Sequence, residues 1–400
     1  MKTTEHGQAL SGVRVLDFTR VLAGPFASMI LADLGADVIK IELPETGDEA
    51  RGFGPFLNGE SAYFLSVNRG KESVTLDLRL EEGQRLARQL VSDCDILVEN
   101  FRPGSMARFG LDYESVRALN PKLVYASISG FGQTGPYAQR PAYDVIIQAM
   151  SGLASITGRH GEPPVRVGSS ISDLGAALYG VIGILAALSQ ARATGKGQQV
   201  DVAMLDCQVA LLENAIARFD VTGEIPVPLG SRHPAITPFQ FFQAADGYVV
   251  VAAGNDSLWQ RLCETIGVAD LSKDARFSTN AFRTENHAEL EPLLAAAFGA
   301  QAVEEWCTRL GEAGVPCGPI QNIEQVVGDP QLAARQMIVR VPHEAAGELA
   351  MPASPIKFSE VQAKAPAPAP TLGQHTEEIL AELAGVDRDE LLRLREAGVV

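Results

Sequence analysis

From Leu174 to Ala191 the chain carries no charged residue, and one carboxylate, Asp173, stands immediately before this run. An apolar stretch of that length must be buried in a large core or lie in a bilayer. Gly175, Gly180, Gly183, Tyr179, Ser189 and Gln190 interrupt it, which fits a buried core helix rather than a membrane span. A chain of 400 residues can supply such a core and exceeds the usual single-domain size, so two or more domains are expected. Asp173 then stands where the helix begins. The unpaired N–H groups and dipole of a helix start favour negative charge. The sequence therefore predicts a carboxylate that stays ionised when partly buried, as a nucleophile requires. Aspartate is also a common N-cap, and the local residues alone favour that structural role.

The first third of the chain alternates strands and helices. Val13–Phe18, Val38–Glu42, Val74–Leu78, Ile96–Val98 and Leu123–Ile128 read as short strands. Pro25–Leu34, Leu80–Val91 and part of Ser105–Asn120 read as helices between them, the first started by Gly24-Pro25. Strands alternating with helices imply a parallel sheet with helices on its faces. Leu174–Gln190 and Val200–Phe219 read as two long helices, and Gly223–Pro238 as a Gly/Pro-rich linker. A strand at Gly247–Ala253 and helices near Leu258–Ile266, Glu289–Phe298 and Val303–Gly314 predict a smaller domain. The boundaries follow: a large domain over 1–205 with 330–400, linkers at 206–227 and 326–329, and a small domain over 228–325. Lys364–Pro370 alternates with proline and reads as a stiff spacer before two short polar helices.

Charge narrows the partners. Asp and Glu number 49 against 33 Lys and Arg, which argues against nucleic acid or an anionic membrane. An anionic small ligand needs only a local basic pocket and stays open. Met1–Leu10 has no apolar signal core. The five cysteines are scattered, with no CxxC and no histidine cluster, so no disulfide framework or metal site is expected and a reduced cytoplasmic setting is.

The first strand–helix–strand unit places Glu42 where a dinucleotide fold holds its ribose. The turn, however, reads Val21-Leu22-Ala23-Gly24-Pro25 and lacks the glycines of G-x-G-x-x-G, which argues against a nicotinamide or flavin cofactor. Val98-Glu99-Asn100-Phe101-Arg102-Pro103-Gly104 is more telling. A strand runs into a Pro-Gly turn between Arg102 and Arg108, beyond the carboxyl end of a sheet. Two arginines there can hold phosphates by paired charged hydrogen bonds, although a solvated helix face has the same local composition.

Taken with Leu34-Gly35-Ala36-Asp37-Val38-Ile39-Lys40-Ile41-Glu42, Thr194-Gly195-Lys196-Gly197-Gln198, Pro316-Cys317-Gly318-Pro319 and Leu372-Gly373-Gln374-His375-Thr376, these segments resemble the family III CoA-transferases over nearly the whole chain. The resemblance implies an α/β fold, with a Rossmann-like large domain, a smaller α+β domain and an interlocked homodimer. It implies Asp173 as nucleophile and a CoA cradle at Leu22, Ala23, Leu76, Asp77, Leu78, Arg79, Asn100, Phe101, Arg102 and Arg108. Tyr143 and Asp144 would line the acyl site. Where formyl-CoA transferases have a glutamine this chain has Leu22, and their glycine-run lid reads Gly230-Ser231-Arg232-His233-Pro234. Both departures weigh against formate and oxalate. Arg232 and His233 instead suit a second carboxylate, so acyl-CoA and short dicarboxylic acids are the expected substrates. CoA thioesters enter as substrates, with no resident cofactor and no metal.

Two rivals remain. An α-methylacyl-CoA racemase needs two acid/base groups, and Ala142-Tyr143-Asp144 stands where that branch resembles Gly-His-Asp; a tyrosine of pKa ~10 is a poor base at neutral pH. A non-catalytic acyl-CoA binding protein would have no use for an intact Asp173.

Overall fold

The computed structural model describes residues 8–361 and 366–400. Met1–Gly7 and, in the expected spacer, Lys364 and Ala365 lie outside them. The chain forms two compact units. The first takes the chain up to Leu153, Arg166–Ile216 and Ala333–Val400. The second takes Ala154–Val165 and Ala217–Leu332, so it includes a short segment that the sequence assigns to the large domain.

Six parallel strands build the first unit: β1 (Arg14–Asp17), β2 (Asp37–Glu42), β3 (Lys71–Thr75), β4 (Ile96–Glu99), β5 (Val124–Ser129) and β6 (Gln199–Ala203). Their spatial order is β3-β2-β1-β4-β5-β6. The order reverses between β1 and β4, where Val15 lies opposite Ile96 and Asp17 opposite Val98. Chain leaving β1 and chain leaving β4 therefore flank one crevice at the carboxyl edge, the usual ligand position in open α/β sheets.

Alternation along each strand feeds two cores. Val15, Ile96, Val98, Val124 and Ala126 face one side, with α1 (Ala23–Asp33) and α4 (Ile171–Thr194) packed over them. Leu16, Leu97 and Tyr125 face the other, under α2 (Glu81–Ser92) and the two C-terminal helices. The helix α3 (Asp144–Met150) packs on α4. By length and composition α4 could cross a membrane; half of its most apolar window is buried inside the protein.

The expected helix over Val200–Phe219 is not continuous. Gln199–Ala203 forms β6 and pairs in parallel with β5. Gln199 and Asp201 face outward while Val200 and Val202 turn in, a period of two that the longer apolar pattern concealed. Helix α5 (Met204–Ala210) follows, and α6 (Ala215–Thr222) begins after Glu213 at φ +58. Strand β3 also sits earlier than expected, leaving Leu76–Arg79 free to turn at the crevice.

The second unit holds an antiparallel sheet, β7 (Phe239–Gln243), β8 (Tyr248–Ala252) and β9 (Cys317–Pro319), with β8 central. Trp259, Leu262, Leu290, Leu294, Phe298, Trp306 and Leu310 form its core.

Candidate active site

The loop from β1 to α1 opens the site. Thr19, Arg20, Val21 and Leu22 connect them, and Gly24 follows because a Cβ there would stand 2.3 Å from Thr19 Cβ. Below the loop lies a buried ionic network. Asp17 accepts from Ser28 Oγ at 2.6 Å and from Lys71 Nζ at 3.0 Å. Lys40 Nζ pairs with Asp48 Oδ2 at 2.9 Å, both side chains fully buried. Desolvation pulls Lys71 down to about 8, against the pull of Asp17. Burial works against the ionised forms of Asp17 and Asp48 too, but the lysines beside them hold both carboxyls below the usual range.

Chain leaving β4 forms the opposite lip. Asn100 grips the first loop, accepting from Arg20 N–H at 2.8 Å and donating to Arg20 carbonyl at 2.7 Å. The Arg20 guanidinium lies 4.6 Å from the centre of the Phe101 ring and pairs with Glu49 at 2.9 Å. Glu99 accepts from Phe101 N–H at 2.8 Å, and burial pushes its carboxyl up to about 7.

Two cavities meet here. One, of about 360 Å³, is lined by Phe18–Arg20, Lys40–Leu43, Thr46–Glu49, Leu76–Arg79, Phe101 and Phe109. The other, of about 350 Å³, is lined by Arg20–Ala23, Glu49, Asn100–Pro103, Ile128–Gly130, Ala138, Arg140–Tyr143, Met204 and Asp173. Arg20, Glu49 and Phe101 belong to both walls. Both volumes suit a small-molecule ligand.

Asp173 is the third residue of α4. Its carboxylate receives no hydrogen bond among the described residues, and burial, then the charge of Asp144, push it up from 3.8 to about 7. The sequence predicted a carboxylate held ionised by the helix start; desolvation and a like charge overcome that effect. Asp144 is itself buried. It accepts from Ser172 N–H at 2.9 Å and from Gln148 Nε2 at 2.8 Å, so it caps the first turn of α4 rather than lining the cavity. A Cβ at Gly175 would meet only the flexible tip of exposed Leu211, Cδ1 at 2.8 Å, and the Gly175 N–H lies inside the helix.

The structure thus gathers Leu22, Ala23, Asn100, Phe101, Arg102 and Tyr143 with Asp173 at one cavity, and Leu76, Asp77, Leu78, Arg79 and Phe101 at the other. Arg79 folds back onto Asp77, with Nη2 at 2.6 Å from Oδ2. Arg108 lines neither and donates to Ser105 Oγ at 3.2 Å. In the second unit Arg232 donates to Thr284 carbonyl at 3.2 Å, and His233 lies against the Phe239 ring, their centres 5.4 Å apart.

Sequence reasoning missed Arg20, Arg140 and Tyr63. Arg20 could have been found from its place directly beyond β1. Arg140 stacks on Tyr137 at 3.9 Å, and nothing local marks it. Tyr63 lies close enough to Asp173, Asp48 and Asp144 for their charges to add to burial in raising its hydroxyl.

The sequence model of CoA-transferase family III matches residues 10–376. The chain belongs to that family. It is 42% identical over 388 residues to a protein named succinate–glutarate CoA-transferase from Agrobacterium fabrum, covering 95% of this chain and 96% of that one. It is 44% identical over 349 residues to an acetyl-CoA:oxalate CoA-transferase from Acetobacter aceti, covering 87% and 88%. A crystal structure of a CAIB/BAIF family protein from Brucella suis superposes with a TM-score of 0.83 at 41% identity, covering 94% of this chain and all of that one. The protein is an acyl-CoA:carboxylate CoA-transferase, with CoA thioesters and carboxylic acids as substrates.

Proposed function

We propose that this enzyme moves CoA between short dicarboxylic acids of the succinate and glutarate type, with Asp173 as covalent nucleophile. The observation that carries the reading is the place of Asp173. It is a carboxylate without hydrogen-bond partners among the described residues, on the wall of a cavity that adjoins a second, ligand-sized one. Succinate and glutarate come from the name of the Agrobacterium relative. The Acetobacter relative makes oxalate the rival acid, and an acceptor panel of oxalate, succinate and glutarate decides between them.

A carboxylate oxygen of Asp173 attacks the thioester carbonyl carbon of the acyl-CoA. The C–S bond breaks, CoA leaves as thiolate, and a mixed anhydride remains. The thiolate then attacks Cγ of Asp173 and expels the donor acid, leaving an aspartyl-CoA thioester. The acceptor carboxylate attacks Cγ, releases the thiolate and forms a second anhydride. Attack of the thiolate on the acceptor acyl carbon yields the new thioester and frees Asp173. Every step exchanges one activated acyl bond for another, so no external energy is spent. Arg102 and the loop Arg20–Ala23 are the candidates for holding CoA, and Tyr143 for facing the acyl group. The water-exposed lip around Tyr143 must be covered during turnover, since either anhydride would otherwise hydrolyse.

Self-association belongs to the same reading. Leu178, Tyr179 and Ile182 stand exposed on α4, the last at 62%, a surface that a second copy of the chain would bury.

The test is mass spectrometry of the protein mixed with succinyl-CoA. A CoA-sized adduct on the peptide containing Asp173, absent from Asp173→Ala, supports the mechanism. Substantial transfer by the folded alanine variant would remove it.

A further inference from the structure

Val21 sits at φ +67. For a β-branched residue this backbone region is a true outlier, and it persists only where the surroundings over-determine it. The surroundings here are specific. Asp48 accepts from Val21 N–H through both oxygens, at 3.0 and 3.3 Å. Lys40 Nζ donates to Thr19 carbonyl at 2.7 Å and pairs with Asp48 at 2.9 Å. Asp48 is fixed in turn: its N–H donates to Glu42 Oε2 at 3.0 Å, and Arg51 holds both Glu42 oxygens at 2.7 Å. The loop is thus clamped from below at a carbonyl before Val21 and at the amide of Val21 itself.

A fully buried ion pair is a poor device for stability alone, because well-packed apolar residues of the same volume serve as well or better. This pair lies at the floor of one cavity, while Val21, Leu22 and Ala23 belong to the wall of the other. The left-handed turn at Val21 is where the chain passes from the first wall to the second. We propose that Lys40 and Asp48 are positioning residues for CoA, which hold Val21 left-handed so that the loop presents Arg20 and Leu22 to the two halves of the ligand. The inference rests on the reading of these cavities as the CoA site.

Glycine adopts positive φ without strain, so it needs no clamp. That separates positioning from simple charge compensation. Free CoA binding is measured by calorimetry, and KM and kcat are measured with succinyl-CoA. Asp48→Ala should weaken CoA binding and raise KM roughly tenfold or more, with a much smaller fall in kcat, as loss of uniform binding requires. Adding Val21→Gly to Asp48→Ala should recover most of that affinity. Adding Lys40→Met instead should recover thermal stability but not affinity. The opposite pattern, rescue by Lys40→Met and none by Val21→Gly, would show that Asp48 only neutralises a buried lysine and would overturn the proposal. If Asp48→Ala does not fold, Asp48→Asn keeps an acceptor for Val21 N–H and should lose far less affinity than the tenfold expected of alanine; a loss as large would overturn it. Wild-type protein that fails to bind CoA would overturn the cavity reading and this inference with it. Wild-type binding matched by Asp48→Ala would overturn the inference alone.

Discussion

Replacing Asp144 by asparagine should move the acid limb of catalysis downward in pH. The proposed nucleophile must be ionised, and Asp173 sits near 7 against 3.8 for an ordinary aspartate. Activity should therefore be full above this range and fall as pH drops through about 7. Two causes raise Asp173, burial first and the charge of Asp144 second. Asp144 therefore accounts for less than half of an interval of about three pH units (7 less 3.8). A downward shift on the order of one unit, equivalent to about 1.4 kcal/mol, is expected. Asparagine keeps an oxygen to accept from Ser172 N–H, so the start of α4 should hold. At pH 6 a carboxyl of pKa 7 is about 9% ionised and one of pKa 6 about 50%, so the variant should gain roughly fivefold at that pH. At high pH it should be somewhat slower than wild type, because a less basic carboxylate is a weaker nucleophile. The assay is kcat/KM for succinyl-CoA from pH 5 to 9 in both proteins; titration of the CoA phosphates is common to both and cancels in the comparison. An unmoved limb, or one moved upward, would refute the electrostatic argument.

Other outcomes follow from the same geometry. Arg102→Ala should raise the KM for acyl-CoA by the loss of a charged hydrogen bond, about 1.5–3 kcal/mol or roughly 10- to 150-fold, while Arg108→Ala, whose side chain lines neither cavity, should change it much less; steady-state kinetics check the contrast. Lys71→Met should destabilise the fold by about 3–5 kcal/mol, because Asp17 would remain buried with its closest cation gone; urea unfolding checks this, and a loss below about 1 kcal/mol would contradict it. Gly175→Ala should leave stability unchanged or raise it by up to about 1 kcal/mol, because alanine favours the helix and the Leu211 tip it would meet is 44% exposed and free to turn aside; urea unfolding reads this, with the CoA adduct on Asp173 retained, and a loss above about 1 kcal/mol would contradict it.

Much of the sheet was legible because it is built from local pattern. Val15, Ile96 and Val124 announce strands whose neighbours alternate, and Gly24-Pro25 announces a helix start. The sixth strand was not, because Val200 and Val202 continue smoothly into the apolar positions of α5 and both periods fit a short window. Asp173 was legible as the one carboxylate before an uncharged run. Its titration was not, since that depends on burial first and then on Asp144, which folds against Ser172, 28 residues away. The network under the first loop was equally hidden. Asp17 and Lys71 are 54 residues apart, and only the sheet order makes them neighbours. Arg140 and Tyr63 carry no local mark at all.

The 24 residues of α4 bear on how the reaction can move. Asp173 is planted near one end of a post packed against α1 and the sheet, so the protein has little freedom to swing this carboxylate. In the proposed mechanism a single immobile Cγ takes first the returning thiolate and then the acceptor acid, while the thiolate's first departure and last attack are at the donor and acceptor acyl carbons. The travel falls to the substrate: the sulfur at the tip of its long arm has to shuttle between acyl carbons while the far end of CoA stays moored. A cavity wide enough for two acyl centres side by side, rather than a hinge in the protein, is what this division of labour demands.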